Sequence, residues 1–291
     1  MNIQSKALSK KFGSFYALHD VNLSLEEDKI YGLLGKNGAG KTTLMHLMAG
    51  HLLPTSGDIL LNGSSPFNNR AITKDVCLIN ESSNFKRRLK VKDILYIASQ
   101  FYPNWSADTA ERLLKQFNLK PKLNTKGLSK GMESALGIII GLSSRAKVTI
   151  LDEPYIGLDA SARYTFYDIL LEEYEAYPRT IILSTHLIDE VSNLFEEVMI
   201  LKEGSLLLHE PADELIEKSL HISGKKEVVD AFCEGKHILG VKEMMGRKTA
   251  NLFDENLSIE EAVSMGLEAE RMTIQDITVH LSGSEEELSH A

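Results

Sequence analysis

Four short apolar runs are spread along the chain: Ile30-Tyr31-Gly32-Leu33-Leu34, Val76-Cys77-Leu78-Ile79, Val148-Thr149-Ile150-Leu151 and Ile181-Ile182-Leu183. Each reads as a short buried strand, and together they point to a parallel sheet covered on both faces. The segment Thr43-Leu44-Met45-His46-Leu47-Met48, close after the first run, reads as a helix. Strands at about 2–8 and 19–26, with Ser56 to Leu61 running into an Asn62-Gly63 turn, predict an antiparallel edge. Residues 83–140 look like a helical insertion. Within it, Ser106 is a plausible N-cap, and Ala110, Leu113, Leu114 and Phe117 share one face of a helix that stops before Pro121.

The candidate chemistry sits at the ends of these runs. After the first comes Gly35-Lys36-Asn37-Gly38-Ala39-Gly40-Lys41-Thr42, which fits G-x-x-x-x-G-K-[ST] without a mismatch and continues through Thr43 into the helix. Glycines let backbone N–H groups of Asn37, Gly38, Ala39 and Gly40 curl around phosphates. Lys41 neutralises β/γ oxygens, and the Thr42 hydroxyl takes a place on Mg²⁺. The third run delivers Asp152 and Glu153 at its carboxyl end, beside that loop in an open α/β sheet. Asp152 would reach the Mg²⁺ side, and Glu153 the attacking water as its base.

Composition changes little. Among 291 residues, 25% are charged and 43% hydrophobic, as in an ordinary globular chain with room for about two domains. The apolar stretch from Ser134 to Ser144 is too short to span a bilayer, the amino terminus lacks an apolar leader segment, and Cys77 and Cys233 are lone cysteines suited to a reducing cytoplasm. Charge is more informative. Residues 1–205 carry 24 Lys and Arg against 23 Asp and Glu, while residues 206–291 carry 8 against 18. That shift predicts a boundary near 205–220 and argues against a nucleic-acid groove in the acidic part. The basic run from Lys86 to Lys92 reads mainly as a solvated face, with contact to a membrane partner or anionic headgroups as the alternative.

With Leu128-Ser129-Lys130-Gly131-Met132 between these motifs, then Gly157-Leu158-Asp159 and Ser184-Thr185-His186 after them, residues 3–210 resemble the ATP-binding subunit of bacterial ABC transporters. The resemblance implies further roles. Phe12 would stack on adenine, with Tyr16 the weaker candidate. Ser129 and Gly131 would meet the γ-phosphate bound to a second subunit, and His186 would bond the γ-phosphate and help place water and Glu153. Two departures stand out. Asn80-Glu81-Ser82 replaces the family's glutamine segment, with Glu81 in the glutamine position, where it would face Mg²⁺ as a ligand or the attacking water. Lys130 replaces a signature glycine, and either approaches the phosphate or points to water.

The implied fold class is α/β: a P-loop ATPase core with a mainly parallel sheet, an antiparallel edge subdomain and a helical insertion, plus a small C-terminal α+β domain. The expected domains are a nucleotide-binding unit, 1–210, and an accessory unit, 215–291. In the latter, strands at 220–223, 237–245, 247–253 and 267–274 and helices at 226–233 and 258–265 follow a ferredoxin-like βαββαβ order. The segment from Met272 to Ile277 resembles the closing stretch of many exporter ATPases. The resemblance implies ATP and Mg²⁺ as cofactors, a second ATP-binding subunit and a polytopic membrane subunit as partners, and no nucleic acid. It also implies a cytoplasmic location on the inner face of the cell membrane, and looks most like exporters of antimicrobial or toxic amphipathic peptides. A soluble regulatory ABC ATPase not coupled to transport is the alternative.

Overall fold

The computed structural model describes residues 1–81 and 88–283. A hairpin of β1 (Ile3–Phe12) and β2 (Phe15–Leu25) opens the chain, followed by β3 (Ile30–Leu34), α1 (Lys41–Met48) and β4 (Ser56–Leu61). A short α2 (Arg70–Thr73) leads to β5 (Val76–Ile79) and then to α3 (Val91–Phe101), α4 (Ala107–Gln116) and α5 (Lys130–Ser143). Strand and helix then alternate through β6 (Val148–Asp152), α6 (Ala160–Ala176), β7 (Thr180–Ser184), α7 (Ile188–Val191), β8 (Glu197–Lys202) and β9 (Ser205–Pro211).

The central sheet has the order β5-β6-β7-β3-β8-β9, parallel except for β9. Every residue of β3, β6 and β7 is buried, because helices cover both faces of a parallel sheet. The second sheet, β2-β1-β4, is antiparallel and forms the predicted edge. From Ser134 to Ser143, α5 is buried on all sides, wedged between the central sheet and α3 and α4. Gly141 permits that approach: a Cβ there would press on Ile79 and Leu151 at 3.2 Å each. The apolar stretch too short for a bilayer is therefore a core helix. Among the described residues, no helix is long and apolar enough to cross a membrane.

The remaining elements are α8 (Ala212–Glu217), β10 (Ser219–Lys225), α9 (Lys226–Cys233), β11 (Ile238–Met244), β12 (Arg247–Phe253), α10 (Ile259–Ser264), β13 (Glu268–Glu270) and α11 (Ile274–Ser282). From β10 to β13 they run βαββαβ into an antiparallel sheet of order β11-β12-β10-β13. A separate core that includes Ile222, Val229, Phe232 and Leu252 fills its helical face. The last strand is shorter than its predicted 267–274, and α11, absent from the sequence reading, follows it. Thr273 starts that helix by accepting the Asp276 N–H at 3.1 Å. Ile274 and Ile277 then turn into the core beneath β3 and β8, away from the small sheet's own core. Lys202 closes the other end by donating to the carbonyls of Leu281 and Gly283 at 3.2 and 2.9 Å. We expect Ile277→Ala to cost about 2–4 kcal/mol of stability, read as a lowered urea midpoint of the whole chain. A shift below about 0.5 kcal/mol, within the scatter of surface substitutions, would mean that α11 is not held by that core.

Candidate functional site

Between β3 and α1 the backbone is forced into a tight loop. Gly35 has φ +138°, and a Cβ there would lie 2.3 Å from the Leu201 carbonyl oxygen. Gly40, at φ +104°, presses on the Ala17 carbonyl, where a Cβ would come within 2.5 Å. Only glycine fits either place. No side chain caps the start of α1, so its first N–H groups are available to an anion, and the helix dipole favours one there. Lys41 reaches back across the loop, donating to the Gly35 and Lys36 carbonyls at 2.6 and 3.2 Å. Burial lowers its pKa, against the opposing pull of Glu153 and Asp152.

This loop forms one wall of a cleft of about 340 Å³. Asn37, Gly38, Ala39, Gly40, Lys41, Thr42 and Thr43 line it, and Glu81, Asp152 and Glu153 face them. Gly35 shapes the loop from behind. Thr42 Oγ1 donates to Asp152 Oδ2 at 2.8 Å, which brings a hydroxyl and a carboxylate together as hard oxygen donors. Phe12 lies at the outer end with Phe15 and Ala17. Phe15 was missed. The two-residue Gly13-Ser14 turn pairs Phe12 directly with Phe15, so both rings share a face, whereas Tyr16 pairs with Lys11 and packs on His19. The short turn was the available signal.

Glu153 follows β6 with φ +48°, a left-handed conformation uncommon for a non-glycine residue. Its N–H donates to the Ser184 carbonyl of β7 at 3.1 Å. Oε2 of the same residue meets His186 Nδ1 at 2.7 Å, while the imidazole remains 61% exposed. A second missed residue joins them: Tyr155 is 2% exposed, and its phenol lies 2.5 Å from Glu153 Oε2. No motif spacing marks it. Beyond it, Arg163 on α6 grips Glu190 on α7 through two bonds of 2.9 and 2.8 Å and also reaches the Leu158 carbonyl. The ion pair lowers the pKa of Glu190 and raises that of Arg163.

Ser129 and Gly131 do not line this cleft. Ser129 caps α5, its Oγ accepting the Met132 N–H at 3.3 Å, and Gly131 abuts the Gly157 carbonyl so closely that a Cβ would come within 2.4 Å. Ser134 Oγ donates to the Ile156 carbonyl at 2.5 Å, tying this helix start to the segment after Glu153. Lys130 is exposed to water, one of its two expected courses, and also makes a contact within the chain. Its Nζ donates to the Glu81 carbonyl at 3.3 Å and lies 3.6 Å from the Glu81 carboxylate. The two departures from the family pattern thus face each other with opposite charge. Of the basic run, Lys86 and Arg87 lie outside the described residues, as does Ser82.

Comparison with known proteins agrees with this geometry. A family model described as "ABC transporter" matches residues 18–156. The lantibiotic transport ATP-binding protein SrtF of Streptococcus pyogenes is 32% identical over 217 residues, covering 71% of this chain and 89% of that protein. The ABC transporter ATP-binding protein YtrB of Bacillus subtilis is 26% identical over 220 residues, covering 76% and 75% respectively. A solved ATP-binding subunit of an ABC transporter superposes with a TM-score of 0.67 at 25% identity, covering 75% of this chain and 92% of that one.

The Glu81–Lys130 pair is half exposed, so its Coulombic contribution to folding is small. Any effect of Glu81 should appear in turnover instead. We expect Glu81→Gln to hold turnover within about twofold and Glu81→Ala to lower kcat about five- to tenfold at nearly unchanged ATP affinity, the scale of one hydrogen bond. Steady-state hydrolysis with nucleotide titration checks this. Equal activity of wild type and the Ala variant would mean that the carboxylate is idle.

Proposed function

This chain belongs to the ABC transporter family as an ATP-binding subunit, and on that premise we propose that it hydrolyses Mg-ATP between two such subunits to drive a separately encoded membrane subunit. The observation that carries the reading is the convergence of Lys41, Thr42, Asp152 and Glu153 on one cleft while Ser129 and Gly131 remain outside it. Phe12, now with Phe15, offers flat apolar faces for adenine. The loop N–H groups and Lys41 take the phosphates. Thr42, with Asp152 and Glu81 facing it, would hold Mg²⁺, which when bound would neutralise charge on the β- and γ-oxygens. Glu153 takes the proton of the attacking water, and His186 orients that water and the γ-phosphate.

Ser129 and Gly131 complete the site from the second subunit. Their helix starts at the exposed Ser129, where its dipole would favour an anion, whereas the loop at Gly35–Thr42 would enclose its own nucleotide. Residues 1–210 form the nucleotide-binding unit in this reading. Residues 215–291 form an accessory unit whose last helix returns to the first. For the membrane subunit we favour a groove of about 540 Å³ bordered by Gly50, His51, Arg70, Thr73 and Phe101. Ile97 and Phe101, one helical turn apart on α3, expose apolar surface beside it. That partner would hold the chain on the inner face of the cell membrane. Amphipathic or antimicrobial peptides are the favoured cargo, supported by the likeness to a lantibiotic transport protein.

Three outcomes are expected. Glu153→Gln keeps size and most hydrogen bonding but loses the base, so turnover should fall at least about a hundredfold while ATP stays bound and a dimer accumulates. Near wild-type hydrolysis would remove Glu153 from the role. Mixing Lys41→Ala with Ser129→Arg chains yields dimers with one doubly damaged site and one intact site, and partial recovery of hydrolysis supports the shared site. No recovery despite proven mixed dimers would favour a self-contained site or strict coupling. Cells lacking the chain should retain, or become sensitive to, amphipathic peptides and be rescued by wild type but not by Lys41→Ala. Unchanged peptide export would exclude that cargo.

A further inference from the structure

We propose that Tyr155 is a positioning residue that fastens Glu153 and the His186 loop into one hydrogen-bonded unit, so that base and histidine keep a common orientation toward the attacking water. The inference rests on Glu153 being the base. The phenol oxygen of Tyr155 has three neighbours: Glu153 Oε2 and Thr185 Oγ1 at 2.5 Å each, and the His186 backbone N–H at 3.1 Å. A phenol offers one proton and two lone pairs. The His186 N–H can only donate, so it takes one lone pair. The Glu153 carboxylate can only accept, so it takes the phenol proton. Thr185 must then donate its hydroxyl proton into the second lone pair. Its own oxygen accepts the Leu187 N–H at 2.9 Å. With Glu153 as a carboxylate, no second polarity satisfies all four groups.

The consequence is mechanical. Three successive residues of the loop after β7 hang on the phenol: Thr185 through its side chain, His186 through its backbone and Leu187 through Thr185. Oε2 of Glu153 takes donors from both Tyr155 and His186 Nδ1, which leaves Oε1 to receive the water proton. The left-handed backbone at Glu153 needs such a hold, because a strained conformation persists only where surroundings over-determine it. Burial and the Glu153 charge both raise the Tyr155 pKa, so the phenol remains a donor at any working pH. Tyr155 does not line the nucleotide cleft and acts only through its two partners.

Tyr155→Phe keeps the buried ring and removes the oxygen. We expect the full chain carrying it to lose kcat about ten- to hundredfold, the weight of a hydrogen bond to a charged group, with KM for Mg-ATP within about twofold of wild type. Thr185→Val removes the proton supplied to the phenol and should lower kcat about three- to tenfold, again at constant KM. A purely structural role would instead change stability and leave kcat of the folded fraction intact. If Tyr155→Phe fails to fold, the Thr185→Val result decides alone. Wild-type kcat in the folded variants, or a loss expressed only in KM, overturns the proposal. Glu153→Gln measured alongside keeps the two ideas apart. If it retains turnover, the assignment of the base has failed; if it is dead while Tyr155→Phe is fully active, only the role of Tyr155 has.

Discussion

The site depends on one pairing. Because β7 lies between β6 and β3 in a parallel sheet, three strand ends finish side by side, with Ser184 facing Asp152 on one flank and Leu33 on the other. The phosphate loop leaves β3, the acidic pair leaves β6, and the Thr185-His186 turn leaves β7. A slip of one residue in this register would reverse every buried side chain and scatter the three groups. Full burial of all three strands is what holds that register.

Charge explains why a polyanion would need a companion cation in this cleft. Lys41 is drawn in among carbonyl oxygens, and burial makes its ammonium easier to lose than in water. The carboxyl groups of Asp152 and Glu153 stand nearby, one bonded by Thr42 and the other by His186 and Tyr155. Nucleotide alone would satisfy the lysine and oppose the carboxylates. The Thr42 and Asp152 oxygens would hold a divalent cation, whose charge would remove that opposition.

The parallel core and the phosphate-binding loop were legible because their signals are local: uninterrupted apolar runs for the strands, and fixed residue types for the loop. The C-terminal order was also legible, except where the last strand gave way to α11. There a Thr-x-x-Asp cap opens a helix whose apolar face docks on a distant core, which short-range alternation does not reveal. Phe15 lay behind a two-residue turn whose cross-strand pairing was not followed. Tyr155 and the Glu81–Lys130 contact were beyond reach for another reason. Each joins segments dozens of residues apart, and only the fold brings them together.

The shared site remains the central claim, because Lys41, Thr42, Asp152 and Glu153 gather on one cleft whereas Ser129 and Gly131 lie outside it. The most direct measurement is hydrolysis per subunit as a function of protein concentration, with the association state followed by sedimentation over the same range. The account predicts that specific activity rises as monomer converts to dimer and levels off when conversion is complete. A specific activity that stays flat, and present, where the chain is monomeric would contradict it.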